Sequence, residues 1–280
     1  MTPKIIAIVQ GRMSSSRLPG KILADIAGQP MMTRVLTRVA RAKTLTETVF
    51  ATTTDASDDP VAEYCDFAGI PYTRGSLYDV LDRYYQTALQ FKADVVVRVT
   101  ADCPVIDPEL IDDVVNAVIG GRFDFACNRL PPPFGRTYPI GLDVEVCTFS
   151  ALAQAWQEAK EPQHREHVMP YFYEGVNLEL KVKGQKSNLR PLTFDLACGK
   201  SSRGFEVALL NHPTDFGDYR WTVDATEDLE FMRQIYSRFN GRDDFTWKEV
   251  LDLVHNEPQL MEINAGVQHK TLKDIDSRAL

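Results

Sequence analysis

The stretch VQGRMSSSRLPGKIL, Val9 to Leu23, follows directly on the apolar run Ile5 to Val9, and its reading decides the fold. Gly11 to Lys21 holds Arg12, Arg17, Lys21, three consecutive serines and two glycines, with little that could pack in a core. In an open α/β sheet the ligand crevice lies beyond the carboxyl ends of the strands, where such a loop would emerge. Backbone N–H groups made accessible by Gly11 and Gly20, and the hydroxyls of Ser14, Ser15 and Ser16, suit phosphate oxygens. Arg12, Arg17 and Lys21 would supply the charge that a triphosphate requires. The competing reading is a basic surface turn. A Walker A loop would need Gly at Ser15 and Ser or Thr at Ile22, so the ordinary ATPase loop is excluded, as is a Rossmann G-x-G-x-x-G.

Outward from this loop, strand-like apolar runs alternate with amphipathic segments. Ile5 to Val9, Thr48 to Thr54 and Val95 to Thr100 read as strands; Met32 to Ala42, Val61 to Ala68, Val80 to Phe91 and Pro108 to Ile119 read as helices. Asp107 is positioned to cap the last of these, with Pro108 at its first turn. The alternation predicts an α/β fold with a doubly wound, mostly parallel, Rossmann-like sheet. Past the proline-rich loop Arg129 to Gly141, LDVEVCTF reads as a strand, with Ser150 as cap of a helix over Ala151 to Ala159. Gly184 to Tyr219 is polar with weak periodicity. RWTVD, Arg220 to Asp224, returns to strand character, and helices are predicted over Thr226 to Phe239 and Thr246 to His255. One domain over residues 1–280 is expected, with residues 130–220 including a small β-containing, acceptor-side or dimerisation excursion.

The chain has 280 residues, is 44% hydrophobic and 25% charged, and carries a net charge of −8. That balance argues against a nucleic-acid or anionic-membrane surface, so an anionic ligand must be met by a local basic cluster. There is no apolar run long enough for a signal peptide or a membrane span, which makes a cytoplasmic location the expectation. The five cysteines include no C-x-x-C pair and read as reduced core thiols.

In its signature loop the sequence resembles the cytidylyltransferases that activate sugar acids, most closely the spore coat polysaccharide biosynthesis protein F branch. The likeness continues through TTTD (Thr52 to Asp55), RGSLYDVLDRYYQ (Arg74 to Gln86), RVTADCPVIDPELID (Arg98 to Asp112), GLDVEV (Gly141 to Val146), REHV (Arg165 to Val168) and WTVDATEDLEFM (Trp221 to Met232). It implies a GT-A-like nucleotidyltransferase that uses CTP and Mg²⁺, releases pyrophosphate and forms a homodimer. Arg12 and Lys21 would hold the triphosphate, with Gly11, Ser15, Ser16 and Arg17 completing the cradle. Asp102 and Asp224 would be metal ligands, Asp102 also catalytic with Arg12 and Lys21. Taken alone, either aspartate reads first as a loop or helix-cap residue, ahead of a metal ligand. Thr53, Asp55, Arg74, Ser76 and Asp79 would surround the nucleoside, although Asp79 also suits the cap of the helix beginning near Val80. Asp143, Glu145, Arg165 and His167 would meet an acidic small-molecule acceptor; an exposed strand face and a structural helix start are the alternatives.

Transfer at phosphorus needs positioning and charge neutralisation more than a covalent nucleophile, and no nucleophile and base pair is evident. Two other readings stand beside it: a nucleotide-sugar glycosyltransferase, which would be expected to carry a D-x-D where TADCP has one aspartate, and a catalytically silent nucleotide-binding protein.

Overall fold

A computed structural model describes residues 2–120, 122–182 and 194–268. The first half runs β1 (Ile5–Gln10), the two short strands β2 (Asp25–Ile26) and β3 (Gln29–Pro30), α1 (Met31–Val39), β4 (Glu47–Thr53), α2 (Asp59–Ala68), β5 (Tyr72–Gly75), α3 (Val80–Gln90), β6 (Val95–Thr100) and α4 (Pro108–Ile119). The second half runs β7 (Phe125–Cys127), β8 (Glu145–Thr148), α5 (Phe149–Glu158), α6 (Pro162–His167), α7 (Pro170–Tyr173), β9 (Glu179–Val182), β10 (Asp195–Lys200), β11 (Glu206–Asn211), α8 (Thr226–Arg238) and α9 (Trp247–Asn256).

The main sheet has the order β5-β4-β1-β6-β8-β7-β11-β10-β9. All its strands except β8 and β10 run in one direction. The runs IIAIV and VVVRV are nearly continuous in apolar residues because both faces of the sheet are covered. On β1, Ile5, Ala7 and Val9 enter one core with α1, α4, α8 and α9, while Ile6 and Ile8 enter the other with α3, α5 and α7. β6 follows the same alternation, with Val95, Val97 and Val99 on the first face and Val96 on the second. Arg98, two residues beyond Val96, therefore belongs to the second face. Asp107 caps α4 by accepting from the backbone of Glu109 and Leu110.

The structure departs from the sequence reading in three places. Within Gly184 to Tyr219, the described residues include β10 and β11, which extend the main sheet; residues 184–193 lie outside the described residues. Arg220 to Asp224 is not a strand. It has one isolated ladder bridge, from Arg220 to Ile140, and it mimics a strand because Trp221 and Val223 are both fully buried. The cap of α5 is Thr148, whose hydroxyl accepts from the Ala151 N–H, and the helix begins before Ser150.

Candidate active site

From β1 the chain crosses to β4 and β5 on one side, then returns to β6 on the other, so the order of winding reverses between β1 and β6. A reversal of this kind opens a crevice at the carboxyl ends of the two strands. The loop Gly11 to Lys21 leaves β1 there, and Asp102 follows β6 at the same rim. Asp224 reaches it from the far end of the chain, because the Val223 N–H donates to the Asp102 carbonyl at 2.9 Å.

Lys21 joins these parts. Its buried ammonium donates to Asp102 Oδ2 at 2.7 Å, to Asp224 Oδ1 at 3.0 Å and to the Val223 carbonyl at 2.7 Å. Arg17 and Arg220 reach Asp224 Oδ2 at 2.8 and 2.9 Å. Burial would raise the Asp224 carboxyl, but Lys21, Arg17 and Arg220 override it and hold the group at about 2. Burial likewise opposes the charge on Lys21, and Asp102 and Asp224 outweigh it, so the ammonium is held above its ordinary range. The arrangement is two carboxylates and a cation cluster facing one crevice.

Loop geometry corrects one sequence expectation. The Gly11 and Gly20 N–H groups are committed within the chain, to the carbonyls of Ala51 at 3.2 Å and Met13 at 2.8 Å. The loop folds back on itself, so its positive character comes from side chains. Arg12 donates to the Leu77 carbonyl at 3.2 Å. Ser15 is half-buried and Ser16 exposed on the same loop.

The nucleoside candidates form a second group at the ends of β4 and β5. Arg74 donates to the carbonyls of Thr53 at 2.7 Å and Asp55 at 3.0 Å, binding the two strand ends together. Asp55 closes a turn by accepting from the Ser57 N–H and hydroxyl, and Ser76 Oγ accepts from the Asp79 N–H at 3.0 Å. Asp79 caps α3 through the Asp82 N–H at 2.9 Å and also pairs with Arg165.

That last pair divides the expected acceptor group. Arg165 sits against the nucleoside candidate Asp79, and its neighbour His167 ends α6. Glu145 is buried on β8 and pairs with Arg98 on β6, its register partner. Asp143 precedes β8 rather than alternating along it, and is held by Arg136 through two bonds of 2.7 and 3.0 Å. Asp143 and Glu145 do share a neighbour: burial works against the Arg129 guanidinium, and these two acids raise it above its ordinary range.

Sequence reasoning missed three residues that set this geometry. Asp58 is fully buried and accepts from the N–H groups of Met13 at 2.6 Å and Thr53 at 3.1 Å, fixing the signature loop to the end of β4. Arg220 is anchored on buried Asp228 at 2.9 and 3.0 Å. Asp228 Oδ2 in turn accepts from the backbone of Asp224 and Ala225 at 2.9 and 3.0 Å. Their signal was present as an acidic residue four positions beyond Asp224 and an arginine four positions before it, but either spacing alone reads as surface charge.

Residues 6–195 match the family model for cytidylyltransferases, and the chain is a nucleotidyltransferase. It belongs to the cytidylyltransferase family. The spore coat polysaccharide biosynthesis protein SpsF of Bacillus subtilis is 28% identical over 263 residues, covering 91% of this chain and 95% of that one. The 3-deoxy-manno-octulosonate cytidylyltransferase of Geobacter sulfurreducens is 39% identical over 113 residues, 40% of this chain and 44% of its own length. Among solved structures, a cytidylyltransferase from Leptospira borgpetersenii superposes with a TM-score of 0.76 at 27% identity, over 96% of this chain and 100% of that one. No helix among the described residues is long and apolar enough to cross a membrane.

Proposed function

We propose that this cytidylyltransferase moves CMP from CTP to an oxygen of a sugar acid, or a related acidic metabolite, in surface polysaccharide biosynthesis. A P–O bond forms between that oxygen and the α-phosphorus, and the bond from the α-phosphorus to the bridging oxygen breaks as pyrophosphate leaves. The observation that carries the reading is the Lys21 ammonium lying on Asp102 and Asp224 together, with Arg17 beside them. A position that already attracts a cation to two carboxylates, next to further basic side chains, suits a metal-bound polyphosphate. The acceptor class is supported by the G. sulfurreducens relative, and the pathway by the B. subtilis one.

In this reading Arg12, Arg17 and Lys21 bind the triphosphate and stabilise charge on the departing pyrophosphate, with Gly11, Ser15 and Ser16 shaping the loop. Asp102 and Asp224 fit Mg²⁺, which takes oxygen ligands and is commonly held by one or two carboxylates plus substrate phosphates. Mg²⁺, when bound, would neutralise the reacting phosphate. Thr53, Asp55, Arg74, Ser76 and Asp79 frame the nucleoside, while Asp143 and Glu145, with Arg165 and His167 nearer the nucleoside side, bound the acceptor space. A homodimer, a cytoplasmic site of action and an acceptor-side role for residues 130–220 belong to the same proposal.

The test is pyrophosphate release with CTP, ATP, GTP and UTP against a panel of acidic sugars, with and without Mg²⁺. Release with CTP and a sugar acid, dependent on Mg²⁺, is expected. No CTP binding and no release across the panel would overturn the proposal.

A further inference from the structure

Asp224 Oδ2 carries two arginines, and they are held in different ways. Arg17 comes from the signature loop, its side chain 28% exposed, with one further bond to the Gln268 carbonyl at 3.0 Å. Among the described residues it brings no acid partner besides Asp224. The Arg220 side chain is 8% exposed. It donates through Nε and Nη2 to fully buried Asp228 at 2.9 and 3.0 Å, and the same Nη2 reaches Asp224 at 2.9 Å. Its backbone is pinned as well, by the bridge to Ile140 and by buried Asn264, whose Nδ2 donates to the Arg220 carbonyl at 3.1 Å and to Asp228 Oδ1 at 3.0 Å.

An arginine resting alone on a metal-binding carboxylate would repel the ion it is meant to help bind. Asp228 supplies the charge that offsets Arg220, so Asp224 is oriented without being neutralised. Arg17, with no such partner among the described residues, does neutralise it and opposes a second cation there until it moves. Fastening Oδ2 leaves Oδ1 on the side of Lys21, and both Asp102 Oδ2 and Asp224 Oδ1 lie within 3.0 Å of that one ammonium. Mg²⁺ bonds oxygen at about 2.0–2.1 Å in near-ideal octahedral geometry, so it tolerates a rotated carboxylate less well than an ammonium does.

We propose that Arg220, backed by Asp228 and Asn264, is a positioning residue that fixes Asp224 with Oδ1 presented to the metal, while Arg17 is the arginine that leaves Oδ2 for the triphosphate. The inference rests on the metal-bound CTP reading above and assigns different tasks to two residues within it. When Arg17 passes from carboxylate to phosphate, one charge-assisted bond replaces another. The same exchange by Arg220 would strand fully buried Asp228 without its cation, a strongly unfavourable state. Burial and charge balance therefore decide which of the two stays.

Two binding constants separate the roles: CTP in excess EDTA, by calorimetry, and Mn²⁺ for the protein–CTP complex, by electron paramagnetic resonance with protein in excess over CTP. Arg220→Lys keeps the charge but cannot span Asp224 and Asp228 with the same planar fork. It should weaken Mn²⁺ binding roughly 10- to 100-fold and leave metal-free CTP affinity unchanged. Arg17→Met should do the reverse, losing metal-free CTP affinity by about tenfold or more while Mn²⁺ binding to the complex is retained. Unchanged Mn²⁺ affinity in folded Arg220→Lys would overturn the inference, as would equal loss of CTP and Mn²⁺ binding in that variant, or the Arg220→Lys pattern in Arg17→Met. Should Arg220→Lys fail to fold, or CTP bind too weakly without metal, nitrogen-15 NMR of the unaltered protein decides. On addition of CTP and Mg²⁺ the Arg220 Nε–H should stay protected from solvent exchange while the Arg17 side-chain signals shift; loss of the Arg220 protection, or unmoved Arg17 signals, overturns the inference. Failure of the unaltered protein to bind CTP with or without metal overturns the proposed function first, a result distinct from binding in which the two arginines behave alike.

Discussion

Replacing Lys21 with Met tests the central electrostatic arrangement while keeping most of the apolar stem. The ammonium makes charge-assisted bonds of 2.7 Å to Asp102 and 3.0 Å to Asp224. Asp224 would keep Arg17 at 2.8 Å and Arg220 at 2.9 Å, so most of the loss falls on Asp102. A hydrogen bond to a charged group contributes about 1.5–3 kcal/mol, and the Asp102 side chain is 24% exposed, which trims its share. The expected destabilisation is about 3 kcal/mol, or roughly 6–10 °C in Tm for a chain of this size. The same change frees a carboxylate pair for a divalent ion. At ten times its Kd, Mg²⁺ would return about 1.4 kcal/mol to the variant, several degrees in Tm. The unaltered protein, whose ammonium already lies there, should respond far less without nucleotide. Thermal melts with Mg²⁺ titrated against KCl at matched ionic strength separate binding from screening. A variant as stable as the parent, or an equal Mg²⁺ response in both proteins, would refute the reasoning.

Asp102→Asn should cut turnover at least about a hundredfold with a Tm change of only a few degrees, measured by pyrophosphate release beside a thermal melt; full activity would remove Asp102 from the chemistry. Gly141→Ala should destabilise by about 3 kcal/mol or more in urea unfolding, because Gly141 has φ +104° and its added Cβ would lie 2.5 Å from the Trp221 carbonyl oxygen. Asp224 is held at about 2 against an ordinary 3.8, so its contribution is present above about pH 4 and lost as pH falls through 2. Acid unfolding of Asp224→Asn, compared with the parent across that window, should show the slope reduced.

The first half of the fold was legible because its strands are buried on both faces and its helices carry explicit end signals, as at Asp107 and Pro108. Asp102 could be placed at the rim from the strand it follows. The strands at 195–211 were obscure because DLACGK places Cys, Gly and Lys in succession, and Gly199 is there for close approach to Asn177 rather than for any strand preference. RWTVD misled in the opposite sense, since buried apolar residues at alternate positions give the same sequence pattern with or without ladder pairing. The Arg165–Asp79 pair was illegible in principle: it joins residues 86 apart, and nothing local to either encodes the other.

The three bonds of Lys21 span very different lengths of chain, 81 residues to Asp102 and 202 and 203 to Val223 and Asp224. During synthesis the loop and the first carboxylate therefore exist together long before the second arrives. Until Arg220 to Asp224 is laid along the finished sheet, the crevice lacks half of its acidic wall and two of the contacts that neutralise its lysine. Closure of the crevice is thus a late, long-range event that reports completion of the fold, and products truncated before Asp224 carry the Gly11 to Lys21 loop without the pair of carboxylates it faces.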